Sequence, residues 1–200
     1  MRSVALVLLA AACASFVVAC GDDSGEAEPT PRPENDFEAL AEIFDPIVEP
    51  MGLKLTRGSL VDLEGTYDEA DDGNHLALYV EPTGDDYTTA DYVDGIAELT
   101  NELTPMIFEQ YTAIDSYDVC QEPPPDEDTQ EAPPPVTQVF ITRTQSDAID
   151  FPVTLEQMRA FVAETPPGID TLNVDAEIAD SSEWKAATPP KSSSKDSRNS

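Results

Sequence analysis

The sequence predicts an α+β domain, an antiparallel sheet with helices packed on one face, in the order αββ-αββ-αβ. Three observations carry this expectation. Segments with apolar residues at helical spacing alternate with segments in which every second residue is apolar. The strand segments are consistently apolar on one face only, which gives the helices a single face to cover. The pattern also comes round twice. Phe44-Asp45-Pro46-Ile47-Val48 is echoed at Leu103-Thr104-Pro105-Met106-Ile107, and Thr89-Ala90-Asp91-Tyr92-Val93 at Thr154-Leu155-Glu156-Gln157-Met158. Internal duplication and the common demands of amphipathic helices both account for such echoes.

Asn35 caps the first helix, with Glu38 reaching back from N3. Phe37, Leu40, Phe44, Ile47, Val48 and Met51 form its apolar stripe, and Pro46 should kink it or end it early. After Gly52 the pattern becomes extended, Leu53 to Leu63, with Gly58 suggesting a bulge. The polar stretch Glu64 to Asn74 reads as the turn, and Leu76, Leu78 and Val80 alternate along the returning strand. A second helix starts at Thr88 or Thr89, where Asp91 closes a capping box on Thr88. Tyr92, Ile96, Leu99, Leu103 and Met106-Ile107 are its stripe, and Pro105 breaks in near the end. Strands follow at Ile114 to Cys120 and Val136 to Arg143. A third helix opens at Thr154 with Gln157 at N3, and Leu155, Met158, Phe161 and Val162 face inward. Leu172, Val174, Ala176 and Ile178 then alternate as a last strand.

Charge excludes whole classes of function. The 200 residues hold 41 Asp and Glu against 10 Lys and Arg, a formal charge of −31 with a pI near 4.1. A nucleic-acid ligand needs cations for its phosphates, and this chain has few to offer. Docking on anionic lipid through a basic face is excluded on the same ground. His75 is the single histidine, so a two-histidine metal site within one chain is impossible.

The N-terminus supplies an address. Met1-Arg2-Ser3 is a short positive region, Val4 to Val18 is an apolar run broken only by Ser15, and Gly21-Asp22-Asp23 ends it. This is the form of a signal peptide, too short and too rich in alanine for a spanning helix. Val17-Val18-Ala19-Cys20 resembles the lipobox of bacterial lipoproteins: an aliphatic residue, a small residue at the cleavage point, then the cysteine that is lipidated. The resemblance implies removal of residues 1–19 and diacylglycerol on the Cys20 thiol. It also implies attachment to the extracytoplasmic face of the cell membrane. Cys13 is a rival acceptor, but Ala10-Ala11-Ala12 before it lacks the larger aliphatic residue. The compositional style is similar to that of small actinobacterial lipoproteins, a likeness that implies no activity. On this reading residues 20–34 are a lipidated, disordered tether of Gly, Ser, Pro and acids. Residues 35–186 are the acidic domain, and residues 187–200 are a disordered tail carrying Lys191, Lys195 and Arg198.

Candidate sites within the domain each have a plainer alternative. Cys120 is either a reactive thiol or a small buried hydrophobe; no basic neighbour in sequence lowers its pKa, which favours the second. Asp68-Glu69-Ala70-Asp71-Asp72-Gly73-Asn74 fails as an EF-hand, because Ala70 takes the third ligand position and Tyr79 stands where the bidentate Glu belongs. Asp68, Asp71 and Asp72 remain candidate ligands of a loose Ca²⁺ site, against the favoured reading of a solvated turn. The loop Gln121 to Pro135, with Pro123-Pro124-Pro125 and Pro133-Pro134-Pro135, reads as a stiff connection ahead of a polyproline ligand. Ser59 lacks the second glycine of a nucleophile elbow. His75 reads as an exposed strand-edge residue ahead of a general base, since nothing designates its nucleophile. Trp184 reads as packing rather than ligand binding. The functional expectation is a non-catalytic domain that binds an envelope protein or small ligand, with no cofactor. The rivals are a carboxylate-dependent hydrolase of envelope polymer and an acidic cation-binding protein.

Overall fold

In the computed structural model, which describes residues 30–63, 68–124, 134–160 and 172–187, five strands form one sheet in chain order. Helix α1 (Phe37–Val48) and a 3-10 turn (Glu49–Met51) lead into β1 (Leu53–Val61) and β2 (His75–Pro82). Helix α2 (Thr89–Gln110) crosses to β3 (Ser116–Gln121), which is followed by β4 (Thr137–Thr142). Short elements complete the chain: α3 (Arg143–Asp147), α4 (Leu155–Ala160), β5 (Leu172–Val174), α5 (Ala176–Asp180) and α6 (Ser182–Ala187).

The fold is α+β, but the sheet is mixed rather than antiparallel. Strands β1 and β2, β3 and β4, and β4 and β5 pair antiparallel, whereas β2 and β3 run parallel. The reason is α2: a long helix between two neighbouring strands carries the chain back to the end where β2 began. Register places Leu60, Leu76, Tyr117 and Ile141 in one row and Gly58, Leu78, Val119 and Val139 in the next. Leu40 of α1 lies against Gly58, and Thr104 of α2 meets the Tyr117 hydroxyl at 2.7 Å, so both helices cover this face. The two αββ units therefore do not superpose. Matching their strand directions requires a rotation that exchanges the faces of the sheet, yet both helices lie on the same face.

Local differences from the sequence reading have local causes. Asp36, not Asn35, caps α1, accepting from the Glu38 and Ala39 N–H groups, while Asn35 Oδ1 accepts from Leu60 N–H. Neither Pro46 nor Pro105 ends its helix: Val48 lies buried beyond the first, and Ile107 and Phe108 beyond the second. Burial of those residues outweighs the cost of about 3 kcal/mol for an interior proline. The irregularity in β1 falls between Leu55 and Arg57 rather than at Gly58, and the strand ends at Val61. Arg143 opens α3 instead of closing β4. The last strand stops at Val174, because Asp175 accepts from Ile178 N–H and turns the chain into α5. Phe161 and Val162 lie outside the described residues, as do residues 125–133 of the proline loop.

Thr30, Pro31 and Arg32 are hydrogen-bonded to the rest of the described residues. Thr30 N–H donates to Gln110 O, Thr112 and Ala113 N–H donate to Thr30 and Pro31 carbonyls, and Arg32 Nε donates to Gly73 O. Residues 1–29 and 188–200 lie outside the described residues, and with them Cys13, Cys20 and the tail cations. Among the described residues no helix is long and apolar enough to cross a membrane. Gly52 closes the 3-10 turn at φ 75°, a left-handed conformation that glycine adopts without strain. Gly95 lets α2 approach β3, since a Cβ there would stand 2.7 Å from Gln121 Oε1.

Candidate functional site

Period-two alternation sends His75, Ser116, Asp118, Cys120, Gln138 and Phe140 to the face opposite α1 and α2. His75 starts β2, Ser116 starts β3 beside it, and Asp118 is two residues further along β3. The three side chains meet: His75 Nδ1 is 2.9 Å from Ser116 Oγ, and His75 Nε2 is 3.0 Å from Asp118 Oδ1. Gln138 Nε2 donates to Asp118 Oδ2 at 2.6 Å, the Cys120 thiol donates to the same oxygen at 3.5 Å, and the imidazole stacks on Phe140. One row along, the Arg57 guanidinium lies over the Tyr79 ring at 4.0 Å and pairs with Glu122, which also accepts from Thr56 Oγ1.

Ser116, His75 and Asp118 stand in the contact order of a hydrolase triad, and that resemblance fails on three grounds. His75, Ser116 and Asp118 are each at most 6% exposed. Ser116 sits at the start of a central strand paired on both sides, not on an elbow, so backbone N–H groups engaged in the ladder supply no oxyanion hole. Asp118 already accepts from three donors. These groups satisfy one another across three strands, as buried polar groups must. His75 is thus a buried residue between two strands, not the exposed edge residue the sequence suggested. Its cross-strand partners come from residues 41 and 43 positions away, which no local pattern reveals. Cys120 is buried and free; burial, then the neighbouring Asp118, pushes its thiol far above the ordinary range, and Arg57 pulls it down less. Burial, followed by Cys120 and Asp118, likewise raises Tyr79.

Two grooves border the described domain. The smaller, about 380 Å³, runs along β1 between Phe37, Arg57, Ser59 and Tyr79. Phe37, expected in the core stripe of α1, is 45% exposed at its rim. The larger, about 680 Å³, lies where the end of α1 meets α2. Pro46, Ile47, Pro50, Met51 and Pro152 line it with apolar surface, and Glu98 and Glu102 stand one helical turn apart on α2. Asn101 between them holds Val153 through two hydrogen bonds, Nδ2 to Val153 O and Val153 N–H to Oδ1. Those bonds position the loop that brings in Pro152.

The remaining candidates fall apart from both grooves or contribute little to them. Asp68, Asp71 and Asp72 are exposed around their turn, and among the described residues no group of three His, Cys, Asp or Glu side chains is placed to hold a metal. Ser59 lines the smaller groove, where no hydrogen bond between it and a base is seen among the described residues. Trp184 packs, half-buried, against the core. Comparison of the chain with protein-family models, with curated proteins and with solved structures finds no match.

Proposed function

We propose that this protein is a lipoprotein, anchored through Cys20 on the extracytoplasmic face of the cell membrane, whose domain binds a partner without chemical turnover. The anchoring half rests on the Val17-Val18-Ala19-Cys20 motif at the end of a signal-peptide-like run. The observation that supports binding is the contrast between the two faces. On the face opposite α1 and α2, His75, Ser116, Asp118 and Gln138 are spent on one another, whereas the larger groove joins an apolar lining to two carboxylates that no cation with a described side chain reaches. A concave apolar surface with a few polar groups is the usual form of a ligand site. Anchoring by two or more acyl chains is durable, because each buried CH₂ contributes about 0.8 kcal/mol.

Metabolic labelling with palmitate tests the anchor. The wild-type chain should carry label and sediment with membranes, and Cys20→Ser should lose the label. An unlabelled wild-type chain would overturn the lipid anchor, and a Cys20→Ser chain that stays membrane-bound with its leader attached would replace it with a spanning segment.

A further inference from the structure

We infer that the larger groove docks a short cationic segment of a partner protein, one in which Lys or Arg alternates with an apolar side chain. The inference rests on the binding reading above and names the partner's chemistry. Three features of the groove choose it. Its floor is built largely from prolines, at 46, 50 and 152, which have no backbone N–H to offer, together with Ile47 and Met51. Such a floor rewards apolar contact and gives an anionic ligand nothing to bind. Its polar side is Glu98 and Glu102, both exposed, and among the described residues no hydrogen bond or ion pair reaches either carboxylate.

The cations whose side chains the structure describes are committed elsewhere. Lys54 pairs with Glu81, Arg57 with Glu122 and Lys185 with Asp180, while Arg32 and Arg143 donate to backbone carbonyls. Among the described side chains the groove is therefore an apolar surface bordered by two carboxylates without a cationic partner. A Lys or Arg stem lies along such a floor and carries its charged end to the carboxylates. An apolar neighbour in the same segment fills the space between the prolines. The acidic surface of the whole chain also raises the local concentration of cationic partners, which speeds encounter without choosing a site.

That general attraction is what the test must subtract. Binding of fluorescein-labelled Lys-Leu-Lys-Leu-Lys to the intact chain is read by anisotropy in 0.15 M NaCl, with a detergent-only blank. Lys-Ser-Lys-Ser-Lys serves as the probe without apolar side chains. The Lys-Leu probe should bind about 10-fold tighter than the Lys-Ser probe, and Glu98→Gln/Glu102→Gln should weaken it about 10-fold. The control Glu42→Gln/Glu109→Gln removes the same charge from exposed helical positions outside the groove and should change binding less than about 2-fold. Equal losses in the two double variants, or equal binding of the two probes, would reduce the effect to the general field and overturn the proposal. Tighter binding on deletion of residues 188–200 alone would make the chain's own Lys191, Lys195 and Arg198 the occupant, which also overturns it. Palmitate labelling is independent of all these outcomes, so a failed anchor and a failed groove are told apart.

Discussion

Arg143 has a role that its place in the sequence does not disclose. Its guanidinium donates to the carbonyls of Phe108, Tyr111 and Ile114 and lies 4.8 Å from the Phe108 ring centroid. Helix α2 has no basic residue in its last turn, so this single side chain, from the start of α3, satisfies carbonyls at and just beyond the helix end. A lysine keeps the charge but loses the fork that reaches three acceptors at once. Arg143→Lys should cost about 2 kcal/mol and Arg143→Leu about 3 kcal/mol, since each lost bond to a charged donor is worth about 1.5 kcal/mol or more. Urea unfolding measures both; a loss below about 0.5 kcal/mol for the leucine variant would mean that water replaces the guanidinium at the carbonyls. The network around His75 teaches the same lesson. Its members are ordinary residues in sequence, and only the pairing of β2 with β3 brings them together.

The starts of α2 and α4 were legible because capping is local, and the cap of α2 has a measurable pH signature. Thr88 accepts from Asp91 N–H, and Asp91 accepts from Thr88 N–H and Oγ1. Those bonds, the side-chain one first, hold the Asp91 carboxyl below its ordinary range. A carboxyl lowered in the folded state stabilises fully above its unfolded value and loses that contribution as pH falls through its folded value. Thr88→Ala should therefore cost about 1 kcal/mol near pH 6, and the gap from wild type should narrow as the pH drops below about 4. A gap that is constant with pH would place the cost in helix propensity rather than in the cap. Thr154 and Gln157 form the same reciprocal arrangement at α4, also legible in advance. Strand partners were not legible: nothing in Leu76 to Val80 states that its neighbour is Ser116 to Gln121, or that the two run parallel. The candidate groove was hidden for a related reason. Its lining comes from the end of α1, the turn after it, the middle of α2 and the loop at Pro152. Each piece reads alone as a proline interruption or a solvated acid.

Charge is the property of the whole molecule that the sequence states most openly, and the structure sharpens its consequence. Of the cations with described side chains, Arg32 and Arg143 are spent on carbonyls, and the ion pairs of Lys54, Arg57 and Lys185 neutralise three carboxylates. The donors of those pairs are about half exposed, where such pairs contribute little, about 0–1 kcal/mol each. The chain holds 41 acidic residues, and among the described ones most carboxylates face water without an ion pair, while folding brings them closer than the unfolded chain does. Mutual repulsion therefore opposes the folded state, and salt relieves it by shortening its range. The Debye length falls from about 30 Å at 0.01 M to about 8 Å at 0.15 M, which is less than the width of the domain but more than the spacing of adjacent side chains. Thermal unfolding of the intact chain across that range should accordingly show a melting temperature that rises with NaCl, steeply at first and then more slowly. The sodium salts of chloride and perchlorate should agree over this range, because screening depends on ionic strength and not on the anion. A melting temperature that is flat or falls would show that the acids are already spaced widely enough for water to screen them. A large, saturable gain from Ca²⁺ at matched ionic strength would instead mark bound metal, and Asp68, Asp71 and Asp72 would be the first residues to change to Asn.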